Sequence, residues 1–283
     1  MISATLLGQS VLSGFFAGCL YALLGLGLTL TWRYLKVINL AHFAFVLIAA
    51  YLTFQLVGKN GLNPLLVAVI LIPVFFLAGV AQQALIEHYK VNEFASIILT
   101  FGFAMIAEAG LQWIWSADYQ KLEAHYMRGS LQVAGLFLPI SDIVMSLVAI
   151  SLCVMVWAAM RYTWLGKALR ASLDNPGIAA AFGVPNRKLS YLVAGASGAS
   201  TAIGGIFVAL LSTLAPSQIF SWLGVVFAAA LLGGLGSPIG ILAAGILLGV
   251  SEHVTMAITA PSWAPVVPFT LLMVILLLWP ERI

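Results

Sequence analysis

Charge is what this sequence has least of. Only 7% of its residues are Asp, Glu, Lys or Arg, against about 25% in a soluble domain whose surface must face water. The shortfall excludes a water-soluble fold and leaves most of the outer surface facing hydrocarbon. Cysteine is scarce too. Cys19 and Cys153 fall far apart inside apolar runs, which excludes a disulfide framework or a cysteine-based metal site and leaves two small core hydrophobes. The phosphate-cradling pattern G-x-x-x-x-G-K-[ST] is missing, so the chain lacks that device for binding ATP. G-x-S-x-G, H-E-x-x-H and paired aspartates are missing as well, which argues against an intramembrane enzyme. No basic leader or small-residue cleavage site accompanies the first apolar run, at 11–31, and its length exceeds a signal-peptide core, so it reads as a retained first span.

What is there is apolar length. The chain is 63% hydrophobic, with a mean hydropathy of +1.10. Its 283 residues, at about 20 per crossing, accommodate about eight or nine spans with short loops. That makes 1–283 a single transmembrane domain with no room for a soluble catalytic one. The apolar runs predict spans at 6–31, 40–57, 64–86, 94–116, 143–160 and 191–214, a broken stretch at 222–258 and a last span at 266–279. Each is helical, because backbone N–H and C=O groups cannot stay unpaired in lipid; alternating β-barrel patterning is absent. The fold class is all-α, a polytopic transmembrane bundle with a glycine-rich helix break near 233–240. The stretch 222–258 reads either as two crossings or as a re-entrant pair.

The cations segregate. Arg33, Lys36, Lys90, Arg161, Lys167, Arg170, Arg187, Lys188 and Arg282 fall on one side of this threading, and Lys59, Lys121 and Arg128 on the other, nine against three. The positive-inside bias makes the first side cytoplasmic, with the N-terminus outside and the C-terminus inside. The longest polar stretch on the cytoplasmic side, 161–190, holds five cations against Asp174 alone, a balance of +4. Asp174-Asn175-Pro176-Gly177 supplies turn chemistry, and 178–183 a short helix stopped by Gly183 and Pro185. Such a loop is either a knob for a soluble partner or a topology signal that meets anionic lipid.

Three motifs then carry a resemblance. Val37-Ile38-Asn39-Leu40-Ala41-His42, Gly166-Lys167-Ala168-Leu169-Arg170-Ala171 with Ala179-Ala180-Ala181-Phe182-Gly183-Val184, and Gly233-Gly234-Leu235-Gly236-Ser237-Pro238-Ile239-Gly240 resemble, in order, motifs of the permease family of branched-chain amino acid ABC importers, which also serves urea and short amides. The resemblance covers nearly the whole chain. It implies a bacterial inner-membrane importer with two permease subunits, the second homologous and not identical, two ATPase subunits and an extracytoplasmic solute-binding protein. ATP and Mg would be used by the ATPases, with no cofactor bound by this chain and no nucleic-acid partner. Gly166, Lys167, Arg170, Ala179, Ala180 and Gly183 would then couple the chain to an ATPase.

Candidate path residues are Asn39, His42, Glu108, Gly233, Gly234 and Gly236. Asn39 and His42 share a helix face where a basic turn becomes an apolar helix. They line the inner mouth of a path, or Asn39 caps the helix, as Asn ordinarily does at helix starts, with His42 packed behind it. Glu108 is the one carboxylate deep inside an assigned span, and such groups face a bundle interior or a wet cavity. The resembled family has glutamine there and glycine where Phe43 stands, so bulk at position 43 either narrows a path or alters packing. The break at 233–240 is a discontinuous helix lining a path or a tight turn between packed helices. Gly195, Gly198, Gly204 and Gly205, with Ala194, Ala199 and Ala202, allow close helix packing. Glu252 and His253 lack metal-ligand spacing. Asp118, Lys121, Glu123, His125 and Arg128 decorate the outer loop 117–139, and Trp113, Trp115, Trp263 and Trp279 lie near span ends as an interfacial belt. The competing function is an ion- or proton-coupled secondary transporter with Glu108 as the coupling group; coupling usually needs several intramembrane ionisable groups, and Glu108 is nearly alone.

Overall fold

The computed structural model describes residues 4–122, 129–133, 135–259 and 261–278. The expectations for Glu123, His125, Arg128, Trp279 and Arg282 lie outside them. Eleven α-helices follow one another among the described residues: α1 (Ala4–Leu35), α2 (Ala41–Thr53), α3 (Pro64–His88), α4 (Glu93–Trp115), α5 (Ile140–Tyr162), α6 (Trp164–Asp174), α7 (Pro176–Ala181), α8 (Asn186–Leu211), α9 (Leu223–Gly233), α10 (Pro238–Ile258) and α11 (Val266–Leu278). A hairpin of β1 (Ser130–Val133) and β2 (Leu136–Pro139) precedes α5. The loop reading had no place for it. Gln9 ties it to α1, its side chain donating to the Phe137 carbonyl at 3.0 Å and accepting from the Phe137 N–H at 2.9 Å.

Helix starts follow the short polar residues. The Asn63, Asn92 and Ser237 side chains accept N–H bonds from Leu65, Ala95 and Gly240 and so open α3, α4 and α10, with Pro64 and Pro238 at first helical positions. α2 continues from Thr53 into a π-helical turn, Phe54–Lys59. A 3₁₀ turn, Pro216–Phe220, leads into α9. With that turn, the 216–233 stretch reaches 18 residues, so it and 238–258 are each long and apolar enough for a crossing. Eight helical stretches among the described residues are long and apolar enough to cross a membrane. α11, with 13 residues, is shorter than the roughly 20 that a straight crossing needs. The all-α polytopic bundle is as expected.

The bundle is layered from the inside out. α1, α2 and α8 form its centre, where Leu24, Leu28, Phe43, Leu47, Tyr51 and Val208 are fully shielded. α3, α4 and α5 turn large apolar side chains outward, among them Val69, Leu77, Ile106 and Met155. Outward leucines and isoleucines are the normal state of a surface that meets lipid. The close crossings are built on small residues: α1 meets α10 through Gly14, Gly18, Gly245 and Gly249, and α3 meets α8 through Gly79, Ala194 and Gly198. A methyl at Gly14 would lie 2.6 Å from the Gly249 carbonyl oxygen, so these backbones touch only because no side chain intervenes. The packing assigned to Gly195 and Gly198 from sequence is realised at the α3 crossing.

Candidate functional site

The first candidate cluster lies where α1 gives way to α2. Lys36 takes a positive φ of 52°, which ends α1 and throws the chain into a non-helical run up to Leu40. Asn39 does not cap α2. The helix begins after Leu40 without a side-chain cap, and Thr100 Oγ1 on α4 instead accepts the Leu40 N–H at 3.1 Å. Asn39 pairs amide to amide with Gln82 on α3, at 3.0 and 2.8 Å in the two directions. The capping expectation failed because a complementary amide across the bundle competes for the same side chain. Asn39, Gln82, Gln83, Thr31 and Ser197 surround a gap of about 10 Å³, no larger than one water. Just beyond Gln83, toward the α6–α7 end, a cleft of about 450 Å³ opens between Tyr34, Glu87, Ser172 and Ser190. Leu35 and Gln83 border both the gap beside the amide pair and the open cleft.

His42 is 1% exposed and bridges three helices. Its Nε2 lies 2.7 Å from the Leu24 carbonyl on α1, and its Nδ1 lies 3.3 Å from Ser197 Oγ on α8. A carbonyl can only accept, so Nε2 carries the proton and Nδ1 accepts from the serine, a neutral ring. Gly27 makes room for it: a methyl there would sit 2.8 Å from His42 Cε1 and 2.7 Å from Ser197 Oγ. Of the two readings offered for His42, the geometry is that of a satisfied packing residue. Phe43 is likewise resolved as packing, fully buried with its ring 6.3 Å from Phe227 on α9.

The 161–190 segment is more ordered than a loop. α6 is capped by Thr163, and Gly166 lets it press against the Met160 carbonyl at the end of α5. Asp174-Asn175-Pro176-Gly177 is a helix start rather than a turn: Asn175 Oδ1 accepts the Ile178 N–H at 3.0 Å, and Pro176 takes the first position of α7. Lys167, Arg170 and Ala180 are exposed, whereas Ala179 is buried against the rest of the segment. What α7 presents outward is Ile178, 56% exposed, and Phe182, 85% exposed. Neither stood among the candidate residues, although an aromatic next to the stop glycine was a visible signal. Gly183 closes the turn at φ +83°, with open space where a side chain would stand.

Polar contacts tie this knob to the cleft. Asn186, at the start of α8, donates to the Pro176 carbonyl at 2.8 Å and accepts from Ser172 on α6 at 2.8 Å. One turn on, Ser190 donates to Glu87 of α3, and Arg187 pairs with the same carboxylate at 3.5 Å. Gln83 donates to Glu87 at 3.3 Å. Glu87 thus stands one helical turn from Gln83, which borders both the gap and the cleft, a role the sequence reading did not assign.

The remaining candidates go elsewhere. Gly233 and Gly240 meet backbone to backbone across a tight turn in which Gly234 and Gly236 have φ of +83° and +76°, so the break joins two packed helices. It lies apart from Asn39 and His42. Gly236, Ser237 and Pro238 instead share a cleft of about 340 Å³ with Tyr34, Arg161 and Arg170. Glu108 flanks the buried side of α4, near Ala104 and Leu111. It is partly exposed on α4 and accepts from Gln112 one turn away at 3.2 Å. Gly102 and Gly110 on the same helix have open space beside them. Trp115 departs from the interfacial belt: its ring packs on Tyr51 and its indole N–H donates to Gln55 at 3.3 Å, while Trp113 and Trp263 are exposed. Glu252, passed over in sequence, accepts from Tyr21 of α1 at 2.9 Å. Cys19 and Cys153 are buried and free.

The family described as the permease component of branched-chain amino acid transport systems matches residues 10–276. The high-affinity branched-chain amino acid transport system permease protein LivH of Salmonella typhimurium is 24% identical, over 97% of this chain and 94% of its own. The corresponding BraD protein of Pseudomonas aeruginosa is 24% identical over the same shares. A probable branched-chain amino acid transport permease, LivH, of Methanocaldococcus jannaschii is 27% identical over 82% of this chain and 76% of its own. No solved structure matches the chain.

Proposed function

Because the chain belongs to the permease-component family of branched-chain amino acid transport systems, we propose that it is the transmembrane subunit of an ATP-binding cassette importer for a small amphipathic solute such as a branched-chain amino acid. It is a transporter subunit and not an enzyme; ATP and Mg are used by partner ATPases. The observation that carries this reading is the α6–α7 knob. An apolar pair, Ile178 and Phe182, stands exposed on the polar segment that joins the spans α5 and α8. A soluble groove is the occupant it suits. Asn186, Ser190, Arg187 and Glu87 lead from that knob to Gln83, beside the gap that the Asn39–Gln82 pair borders. Gly166, Lys167, Arg170, Ala179, Ala180 and Gly183 are its coupling set, with Ala179 supporting from behind. The knob's end is cytoplasmic in this reading, the N-terminus lies outside and the C-terminus inside the bacterial inner membrane, and a binding protein delivers solute to the opposite face.

Glu108 is partly exposed on α4, where it accepts from Gln112 one turn away. An ionisable group placed there costs at least about 2.5 kcal/mol if it meets lipid. A second permease subunit packed on α4 would turn that face into the wall of a shared path. Glu108 pairs with the neutral Gln112 and, among the described residues, with no second ionisable group, which gives no support to a gradient-driven transporter working as a single chain. The test is reconstitution with partner ATPases and binding protein. Uptake is expected to need hydrolysable ATP and to survive collapse of the ion gradients; gradient-driven uptake by this chain alone would reject the proposal.

A further inference from the structure

The packing scheme repeats itself. α1 crosses α10 on glycines, and α8 crosses α3 on glycines. α2 lies on α8 and α9 lies on α1; α2 also packs on α4, and α9 on α11. α1 and α8 meet at the centre. Exchanging α1–α4 for α8–α11 leaves every one of these relations in place. In each set a long helix is followed by a break in the α-helix and a short helix, of 13 residues in α2 and 11 in α9. The spans α1 to α5 precede α8; five is odd, so the second set crosses the membrane in the opposite sense. The chain is an inverted repeat of the kind that places related sites on the two faces of a membrane.

That relation pairs two cavities. The cleft of about 450 Å³ is framed by the start of α8 and the ends of α1 and α3. Its counterpart, framed by the start of α1 and the ends of α8 and α10, is a cavity of about 270 Å³ at the end of the bundle away from the knob. The first turns of α5 close its side, and its floor is apolar, with Phe16, Leu20 and Met145. Asp142, half-buried, lines it, and among the described residues this carboxylate has no hydrogen bond or ion pair. Among the described residues no lysine or arginine lines the cavity. Ser13 and Ser212 bring hydroxyls to its rim, and His253, whose Nδ1–H donates to the Gly249 carbonyl at 3.0 Å, has no partner for its Nε2 among the described residues.

We propose that this cavity receives the solute on the outer side: a small α-amino acid whose ammonium group meets Asp142 and whose apolar side chain fills the Phe16–Met145 floor. A half-buried carboxylate without a cation is costly, and a ligand that brings one recovers a charge-assisted bond. The serine hydroxyls donate to the ligand carboxylate. The volume sits near the lower end of ligand sites, about 300–1,000 Å³, which suits an amino acid and excludes a peptide. The sidedness and the solute class rest on the permease reading above.

The test is equilibrium binding of tritiated L-leucine to the assembled permease–ATPase complex in nanodiscs, without binding protein. Isoamylamine, which keeps the ammonium and loses the carboxylate, is expected to compete; isocaproate, which keeps the carboxylate alone, is not. Asp142→Asn is expected to weaken leucine binding by at least about tenfold, with Asp118→Asn on the neighbouring loop unchanged. Ser212→Trp fills the cavity from its rim and is expected to abolish binding without lowering the thermal unfolding temperature, which covers the case of an Asp142 variant that fails to fold. Competition by isocaproate in place of the amine, or wild-type affinity in Asp142→Asn, overturns the proposal. If millimolar leucine does not bind while ATP-driven, binding-protein-dependent uptake is intact, the cavity is not the site and the permease reading stands. If that uptake is absent too, both fall.

Discussion

Asn39→Leu and Gln82→Leu each break the same two interhelical hydrogen bonds, and the structure says that they cost different amounts. Interhelical hydrogen bonds in membrane proteins average roughly 0.6 kcal/mol by double-mutant cycles, so the pair at 3.0 and 2.8 Å is expected to couple its two residues by about 1.2 kcal/mol. An amide left without a partner costs about 1–3 kcal/mol depending on whether water can reach it. Gln82 is half-buried, so its freed amide finds water, and Asn39→Leu belongs at about 1–2 kcal/mol. Asn39 is 7% exposed beside a gap of about 10 Å³, so Gln82→Leu belongs at about 2–3 kcal/mol. The double variant should cost less than the sum of the singles by the coupling energy. Steric trapping of the purified chain in bicelles reads all four corners of the cycle. Additivity within about 0.3 kcal/mol, or the reverse order of the singles, would refute the idea that this pair fastens α2 to α3.

Three further outcomes test the functional arrangement. Gly183→Arg forces a side chain onto a residue at φ +83°, a local cost of roughly 1–2 kcal/mol. Transport is expected to be lost while the membrane fold, read by protease protection of the spans, is kept; normal uptake defeats the coupling assignment. Glu87→Ala releases Ser190, Arg187 and Gln83 together, so ATP hydrolysis by the assembled importer should persist while uptake per ATP falls several-fold; equal losses of both point to misassembly instead. Glu108→Leu is expected to change the rate or selectivity of uptake, and unchanged transport returns that residue to the lipid-facing surface.

The spans were legible because lipid imposes one rule along their whole length: apolar and helical, with caps of Asn or Ser and proline at first positions. Asn63, Asn92 and Ser237 obey it in the structure as their chemistry suggests. Asn39 looks the same in sequence and does something else, because its partner Gln82 is 43 positions away and no local pattern announces an amide waiting across a bundle. The same limit hid Glu87, whose three partners come from α3 and α8. Glu108 is incompletely legible for another reason. A carboxylate in a span signals a partner, but sequence does not say whether that partner lies in the same chain. The break at Gly233–Gly240 was secure from its glycines and proline; which neighbours it would meet, Arg33 and Tyr34 at the end of α1, was beyond any periodicity.

The glycine seam between α1 and α10 has a consequence for biosynthesis. Tyr21 and Glu252, which the seam brings together, stand 231 residues apart. At roughly 5–20 residues per second, the ribosome needs roughly 12–46 s to deliver the second after the first. Throughout that interval the first span rests in the bilayer with its notched face, Gly14 and Gly18 included, turned toward lipid or toward the insertion machinery. A chain truncated before α10 would leave that notch open for good, and membrane quality-control proteases have in it a ready mark of an unfinished product.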